Sequence, residues 1–185
     1  MRSSAPPLLG STLPRLWARP KVIGPPGPCG CGCALTPETS MGFAVAEFAV
    51  MAGMPLLPWQ RWLVIHGMEL LPDGRPRFRT VLVLVARQNG KTSLLKVVTL
   101  FWLLVDLVPL VLGTSTKLDY ARESWEAALS LAEASPDLLA EFPRTKAGGI
   151  DARRANGEQT LTSLDGCRYK IAAANSSARS LAPSI

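Results

Sequence analysis

The sequence contains few of the residues from which common metal and catalytic sites are built. It has one histidine, His66, and four cysteines, three of which form the segment Cys29-Gly-Cys31-Gly-Cys33. This segment lacks the two-residue spacing of zinc knuckles, and His66 is far from it along the chain. We therefore expect an irregular, reduced segment, with thiolate metal binding as the less favoured alternative. His66 itself is expected to pack on the apolar face of a helix.

The N-terminal segment has no acidic residue before Glu38 and no continuous apolar stretch. Without such a stretch, a secretory signal is not expected. Residues 1–34 are rich in Pro, Gly, Ser and Arg, a composition that buries too little apolar surface to offset the entropy lost on ordering. The sequence thus predicts a disordered tail over residues 1–34 and a domain over residues 35–185.

Charge and length leave the function open. The net charge of +6 permits a nucleic-acid partner, but an ordinary basic surface explains it equally well. A chain of 185 residues is long enough for one domain with a substantial core.

Turn and cap residues divide the first part of the domain. Thr36 is predicted to cap a helix that has Pro37 at its first position and ends near Gly53. The apolar stripe of this helix is Met41, Ala44, Val45, Phe48 and Met51. A second helix is predicted from about Trp59 to Leu70, with Trp59, Trp62, Leu63 and His66 on one face. Pro72-Asp73-Gly74 predicts a turn.

The stretch from Val81 to Leu95 has the layout of a phosphate-binding P-loop. Val81–Val85 predicts a buried strand, and Gly90-Lys91-Thr92 opens an apolar helix after a short loop. In this layout, backbone N–H groups at the helix N-terminus face the phosphates. Lys91 would reach the β- and γ-phosphates, and the Thr92 hydroxyl would bind Mg²⁺. The full motif has glycine five residues before Gly90, where this chain has Val85.

The departure from the full motif resembles a known variant. Arg-Gln-Asn-Gly-Lys-Thr after an aliphatic strand is similar to the deviant Walker A loop of the large terminase subunits of tailed bacteriophages. Three segments resemble that family in the same order: PLLPWQRWL (Pro55–Leu63), ELLPDGRPRFRTVLVLVARQNGKT (Glu69–Thr92), which includes this loop, and LVLGTSTKLDYARESW (Leu110–Trp125). The resemblance extends from about Leu35 to the C-terminus.

The resemblance implies a fold, ligands and partners. The implied fold is an α/β, three-layer P-loop NTPase core of the RecA-like (ASCE) type. The implied cofactors are ATP and Mg²⁺, and the implied partners are double-stranded DNA, the small terminase subunit and the portal, in the bacterial host cytoplasm. In the complete protein the motor would form an oligomeric ring and drive viral DNA packaging by ATP hydrolysis. No membrane association is implied.

The resemblance also implies roles for individual residues. Gln60 would recognise adenine through its amide, which can both donate and accept hydrogen bonds. Arg87 would act catalytically on the γ-phosphate, with a salt bridge at the loop rim as the alternative role. The nucleotide-binding set is Gln60, Arg87, Gln88, Asn89, Gly90, Lys91, Thr92 and Ser93, and Thr92 is the one metal ligand.

The catalytic acid of the family is not found in this chain. The family has a strand that ends in Asp-Glu, and the sequence has no Asp-Glu dipeptide. We therefore expect a truncated core, without the Walker B strand or the nuclease domain, and with incomplete activity.

The nearly continuous apolar segment after Ser93 has two possible structures. A membrane span near residues 94–112 is one, but Lys96, Asp106 and Pro109 interrupt it. The other is a helix from Lys91 to about Val105, a turn, and a strand from Leu110 to Leu112. We favour the second partition, in which Asp106 belongs to the P-loop helix and is not the Mg²⁺-binding acid. Another P-loop enzyme, such as a helicase, and a non-enzymatic membrane protein are the alternative functions.

The remaining sequence predicts one helix and two strands. The amphipathic helix after Thr116 would bury Leu118, Ala121, Trp125, Ala128, Leu129 and Ala132. Strands over residues 159–164 and 167–173 flank an Asp165-Gly166 turn, and a second turn is predicted at Asn156-Gly157. Residues 175–185 are predicted to form a loop.

Overall fold

The computed structural model describes residues 13–155 and 158–174. The predicted Asn156-Gly157 turn and the loop over residues 175–185 lie outside this range. The described part contains five helices and three strands. The helices are α1 (Gly42–Met51), α2 (Pro58–Gly67), α3 (Lys91–Leu104), α4 (Leu118–Ala134) and α5 (Pro136–Ala140), and the strands are β1 (Leu110–Ser115), β2 (Thr160–Thr162) and β3 (Arg168–Ala173).

The chain divides into two compact units. The first contains the described residues up to Ala46 together with Leu56–Leu82, and the second contains Glu47–Pro55 and the chain from Val83 onward. Residues on both sides of position 34 therefore belong to one unit.

Residues 13–34 make specific contacts, in contrast to the predicted disorder of residues 1–34. They form no helix or strand. The backbone N–H groups of Lys21 and Val22 donate to the buried Glu69 carboxylate, at 2.7 and 3.3 Å. The ring of Trp17 meets that of Trp62 edge-on, at 4.9 Å between centroids. Composition did not reveal these contacts because their partners lie about 50 residues downstream; residues 1–12 are outside the described range.

Helix α1 begins later than predicted. Thr36 is not its cap, because residues 37–39 form a turn in which the Thr36 N–H donates to Thr39 Oγ1, at 2.8 Å. The first N–H group of α1 is instead satisfied by the buried Ser40, whose Oγ accepts from the Gly42 N–H and donates to the Ile65 carbonyl, at 3.1 and 2.6 Å. Since that carbonyl belongs to α2, the start of α1 is fixed by a tertiary contact. The predicted stripe is partly wrong: Val45 and Phe48 are buried, whereas Ala44 and Met51 are exposed.

The second unit is built around a small mixed sheet in the order β1-β3-β2. β1 and β3 are parallel, and β2 and β3 are antiparallel. Helices α3 and α4 contact each other and the sheet. The core of α4 is as predicted, with Ala121, Trp125, Ala128, Leu129 and Ala132 buried, although Leu118 is only half-buried.

Two further predictions are confirmed. The apolar segment after Ser93 divides into α3 and β1, and Asp165-Gly166 connects two antiparallel strands, with Gly166 at a φ of 83°. Among the described residues, none of the helices has the length and apolar character needed to cross a membrane.

The predicted buried strand Val81–Val85 is wrong. These residues belong to no strand, and the side chains of Leu82 and Leu84 are 79% and 87% exposed. An apolar run favours a strand only where a neighbouring strand completes its backbone hydrogen bonds, and β1 pairs only with β3 in the described sheet. A three-stranded sheet is also too small to test the predicted three-layer core, which stays a prediction.

Candidate functional sites

The predicted phosphate-binding segment forms a tight loop at the start of α3. Gly90 is the N-cap residue and has a left-handed conformation, with φ at 80°. Gln88 also has a positive φ, 61°, which is uncommon for a residue other than glycine. Asn89 braces the loop, because its Nδ2 donates to the Arg87 carbonyl at 3.1 Å. These turns bring the chain from Val85 around to the first turn of α3.

Lys91 folds back across this loop. Its Nζ donates to the carbonyl oxygens of Val85 and Ala86, at 2.9 and 2.7 Å. The ammonium group is thus held over the loop at the N-terminal end of α3, where the helix dipole is positive. No acidic residue lies in the first turn of α3 to neutralise this charge.

The other predicted residues of the loop are accessible. Arg87, Gln88, Asn89 and Thr92 are exposed, and Ser93 is half-buried. Since Gly90 has no side chain, no N-cap side chain occupies the first-turn amides of α3. Backbone N–H groups, the exposed Thr92 hydroxyl and the half-buried Lys91 side chain therefore lie together at the first turn of α3.

Gln60 has a structural contact of its own. Its side chain is buried, and its Oε1 accepts a hydrogen bond from the Leu57 N–H at 2.8 Å, before the first turn of α2. A glutamine three residues after the N-cap position commonly closes a helix start in this way. Recognition of adenine by Gln60 stays a prediction.

Asp106 lies beyond the C-terminal end of α3. This helix has 14 residues from Lys91 to Leu104, which at 1.5 Å per residue places Asp106 roughly 20 Å from the first turn. The expectation that Asp106 does not bind Mg²⁺ at the predicted phosphate-binding loop agrees with this geometry.

A second cluster of chemically reactive side chains lies in the first unit. The potential ligand atoms of Cys29, Cys31, Cys33 and His66 all lie within 4.8 Å of one another. The three cysteines are half-buried free thiols, and His66 is buried in α2. The sequence pattern favours an irregular cysteine segment and a packing histidine, whereas the fold brings the four residues together.

The surroundings change the proton affinities of these groups. Burial, reinforced by a hydrogen bond with the Cys31 side chain, raises the pKa of Cys29 to about 12. Burial acts in the same direction on Cys31, but hydrogen bonds from the Cys33 backbone and side chain outweigh it and lower the pKa of Cys31. Burial lowers the pKa of His66, so the imidazole is more readily neutral than in water.

The sequence indicated metal binding by the three thiols only as the less favoured alternative, and it did not predict that His66 joins them, for an identifiable reason. His66 is separated from Cys31 by 35 positions, and spacing rules for zinc motifs describe local pairs of ligands. The available signal was the alternation of glycine with cysteine, because glycine readily adopts the positive φ that can turn successive thiols to one side.

A scan against protein-family models and searches among curated proteins and solved structures found no match to this chain.

Proposed function

We propose that this chain binds ATP with Mg²⁺ through residues 87–93, as the ATP-binding part of a DNA-packaging motor of the terminase type. The observation that carries the proposal is the position of Lys91, whose ammonium group crosses the loop at the positive end of α3. A triphosphate is the ligand that best complements an ammonium group combined with helix N-terminal amides.

Each residue of the loop has a chemical role in the proposal. Lys91 exchanges its two carbonyl contacts for the β- and γ-phosphate oxygens, and the exposed Thr92 hydroxyl binds Mg²⁺. The exposed Arg87 guanidinium stabilises negative charge that develops on the γ-phosphate. Gln88, Asn89, Gly90 and Ser93 shape the loop around the phosphates. The assignment to DNA packaging is supported by the resemblance of several segments to terminases, and its partner would be double-stranded DNA.

The proposal is tested by titration calorimetry of ATP with magnesium on the wild type and on Lys91→Ala. Loss of a charge-assisted contact costs about 1.5–3 kcal/mol, so the affinity should fall by about 10- to 140-fold. Lys96→Ala is the matched control, because it removes the same charge from the same helix, one and a half turns beyond Lys91.

Circular dichroism would establish that both variants are folded. Equal ATP affinities of the wild type and folded Lys91→Ala would contradict the proposed site. Equal losses in the Lys91 and Lys96 variants would indicate a general effect of charge and would also contradict it.

A further inference from the structure

The backbone of residues 29–33 is shaped to direct three thiols to one place. Gly30 and Gly32 have φ angles of 84° and 85°, so left-handed residues alternate with the cysteines. The loop is closed by a hydrogen bond from the Gly27 N–H to the Cys33 carbonyl, at 2.7 Å. Glycine is the residue that adopts this conformation at least cost, which gives the alternation of glycine and cysteine a structural purpose.

His66 completes the cluster from helix α2 with a defined orientation. Its Nδ1 lies 2.8 Å from the Trp62 carbonyl oxygen. Since a carbonyl can only accept, Nδ1 must be the donor, and the neutral ring then has its lone pair on Nε2. Nε2 lies 3.5 Å from Cys31 Sγ. Donation of the second ring nitrogen to a backbone carbonyl is the arrangement that orients metal-binding histidines in proteins.

The distances suit a tetrahedral metal ion. With Zn–S bonds of about 2.3 Å and Zn–N bonds of about 2.0–2.1 Å, tetrahedral geometry places S and N about 3.6 Å apart, and two sulfur atoms about 3.8 Å apart. The observed Cys31–His66 distance of 3.5 Å already matches. The limit of 4.8 Å on all ligand atoms requires the cluster to contract by at most about 1 Å to reach these tetrahedral distances.

We propose that Cys29, Cys31, Cys33 and His66 bind one Zn²⁺ ion in a closed structural site. Three thiolates and one imidazole fill all four positions of a tetrahedral ion, which is the arrangement of structural rather than catalytic zinc. Each thiol that binds releases its proton, so binding three of them releases up to three protons. The resulting site has a net charge of −1, and the Arg61 guanidinium is nearby, because it donates to the Cys29 carbonyl at 3.2 Å.

The ion would fasten the N-terminal segment to the core of the first unit. Cys29 and Cys33 pack against the buried cluster of Leu35, Phe43 and Ile65. A bond between the cysteine loop and His66 joins positions 29–33 to helix α2, and binding free energy of this kind stabilises the folded state. The ordering of a segment rich in proline and glycine then has a physical cause that is absent from its composition.

The test is a titration of the reduced full-length chain with Co²⁺, a spectroscopic substitute for Zn²⁺. One equivalent should produce sulfur-to-cobalt charge-transfer absorption and intense visible bands of tetrahedral Co²⁺, and one equivalent of Zn²⁺ should abolish both. X-ray absorption of the zinc form should give three sulfur neighbours at about 2.3 Å and one nitrogen at about 2.0–2.1 Å. Absent charge-transfer absorption, or a zinc shell made of oxygen and nitrogen alone, would overturn the proposal.

Substitution of two different ligands identifies the binding residues, so the test does not depend on the correct folding of any single variant. Cys31→Ser and His66→Gln should each lose stoichiometric binding and the increase in thermal stability that Zn²⁺ gives the wild type. Cys167→Ala is the matched control, because it removes the one cysteine outside the cluster and should keep full binding. Loss of binding in Cys167→Ala alone, or full binding in both ligand variants, would contradict the assignment.

Discussion

Glu69 is a buried residue that joins the N-terminal segment to Arg77 within the first unit. It is 1% exposed and forms an ion pair with Arg77, which also donates to the Arg19 carbonyl at 2.7 Å. The same carboxylate accepts from two backbone N–H groups of residues 21–22. A buried carboxylate is tolerated only when its charge and its lone pairs are satisfied, and here the partners come from the N-terminal segment and from Arg77.

We predict that Glu69→Gln destabilises the protein by about 3 kcal/mol, because the mostly buried Arg77 loses its counter-ion while the amide oxygen keeps the backbone hydrogen bonds. Urea unfolding followed by circular dichroism measures the change. The control is Asp73→Asn, which neutralises the carboxylate of the exposed pair with Arg75 and should cause little change. Similar losses in the two variants would show that the burial of Glu69 does not matter.

The Cys/His cluster shows the limit of sequence prediction for single residues. The sequence shows that the three thiols and His66 are potential metal ligands. Their proximity depends on how the segment before Leu35 packs on α2. The position of Lys91 in the first turn of a helix was predicted directly, because the loop and the start of α3 are adjacent in sequence. Its role in phosphate binding stays a prediction. Local geometry is therefore predictable from the sequence where long-range proximity is not.

At the scale of elements, the sequence predicts secondary structure best where the residues that determine a helix or a hairpin lie within that helix or hairpin. The apolar periodicity of α4 predicted a helix, and the Asp-Gly turn before β3 predicted a pair of antiparallel strands. Both predictions are confirmed. Each depends on residues that are close together in the sequence. The start of α1 and the strand at Val81–Val85 were predicted wrongly, since Ser40 is fixed by α2 and a strand needs a partner. In these two cases tertiary contacts outweigh local propensity.

The close contact between α1 and α2 gives a prediction at this scale. A Cβ atom at Gly42 would lie 2.2 Å from the Val64 carbonyl oxygen, so the helices approach more closely than any side chain permits. We predict that Gly42→Ala destabilises the protein by about 1–3 kcal/mol, because the helix backbones must separate. Thermal or urea unfolding measures the change.

Gly67 provides a matched control on the partner helix. A Cβ at this position meets only the Val81 side chain, at 3.5 Å and beyond, which is an ordinary contact. Gly67→Ala should therefore be neutral or slightly stabilising, since alanine favours a helix over glycine. If Gly42→Ala were as stable as Gly67→Ala, the close approach of the two helices would be refuted.

Across the whole molecule, the positions of the charged residues bear more directly on ligand binding than the net charge of +6 does. The Cys/His cluster lies in the first unit, and the Lys91 loop lies in the second. The 14 acidic residues of the chain are dispersed, and no two are adjacent in the sequence. None falls between Arg87 and Val105, so the loop and helix α3 contribute cationic but no acidic side chains of their own. This arrangement favours binding of an anion.

Hydrolysis of ATP requires a residue that orients the attacking water and further oxygen ligands for Mg²⁺ beside the Thr92 hydroxyl. The sequence contains no Asp-Glu dipeptide, and Asp106 lies roughly 20 Å from the first turn of α3 by the length of that helix. We therefore predict that this 185-residue chain binds ATP with Mg²⁺ but releases phosphate at a rate indistinguishable from that of Lys91→Ala. The measurement is a phosphate-release assay on monodisperse protein at saturating ATP.

Asp106→Asn is the companion variant and should leave both ATP affinity and phosphate release unchanged. Turnover that requires Lys91 would contradict the prediction, because a carboxylate of this chain would then have to reach the loop. If Asp106→Asn abolished that turnover, the carboxylate would be that of Asp106.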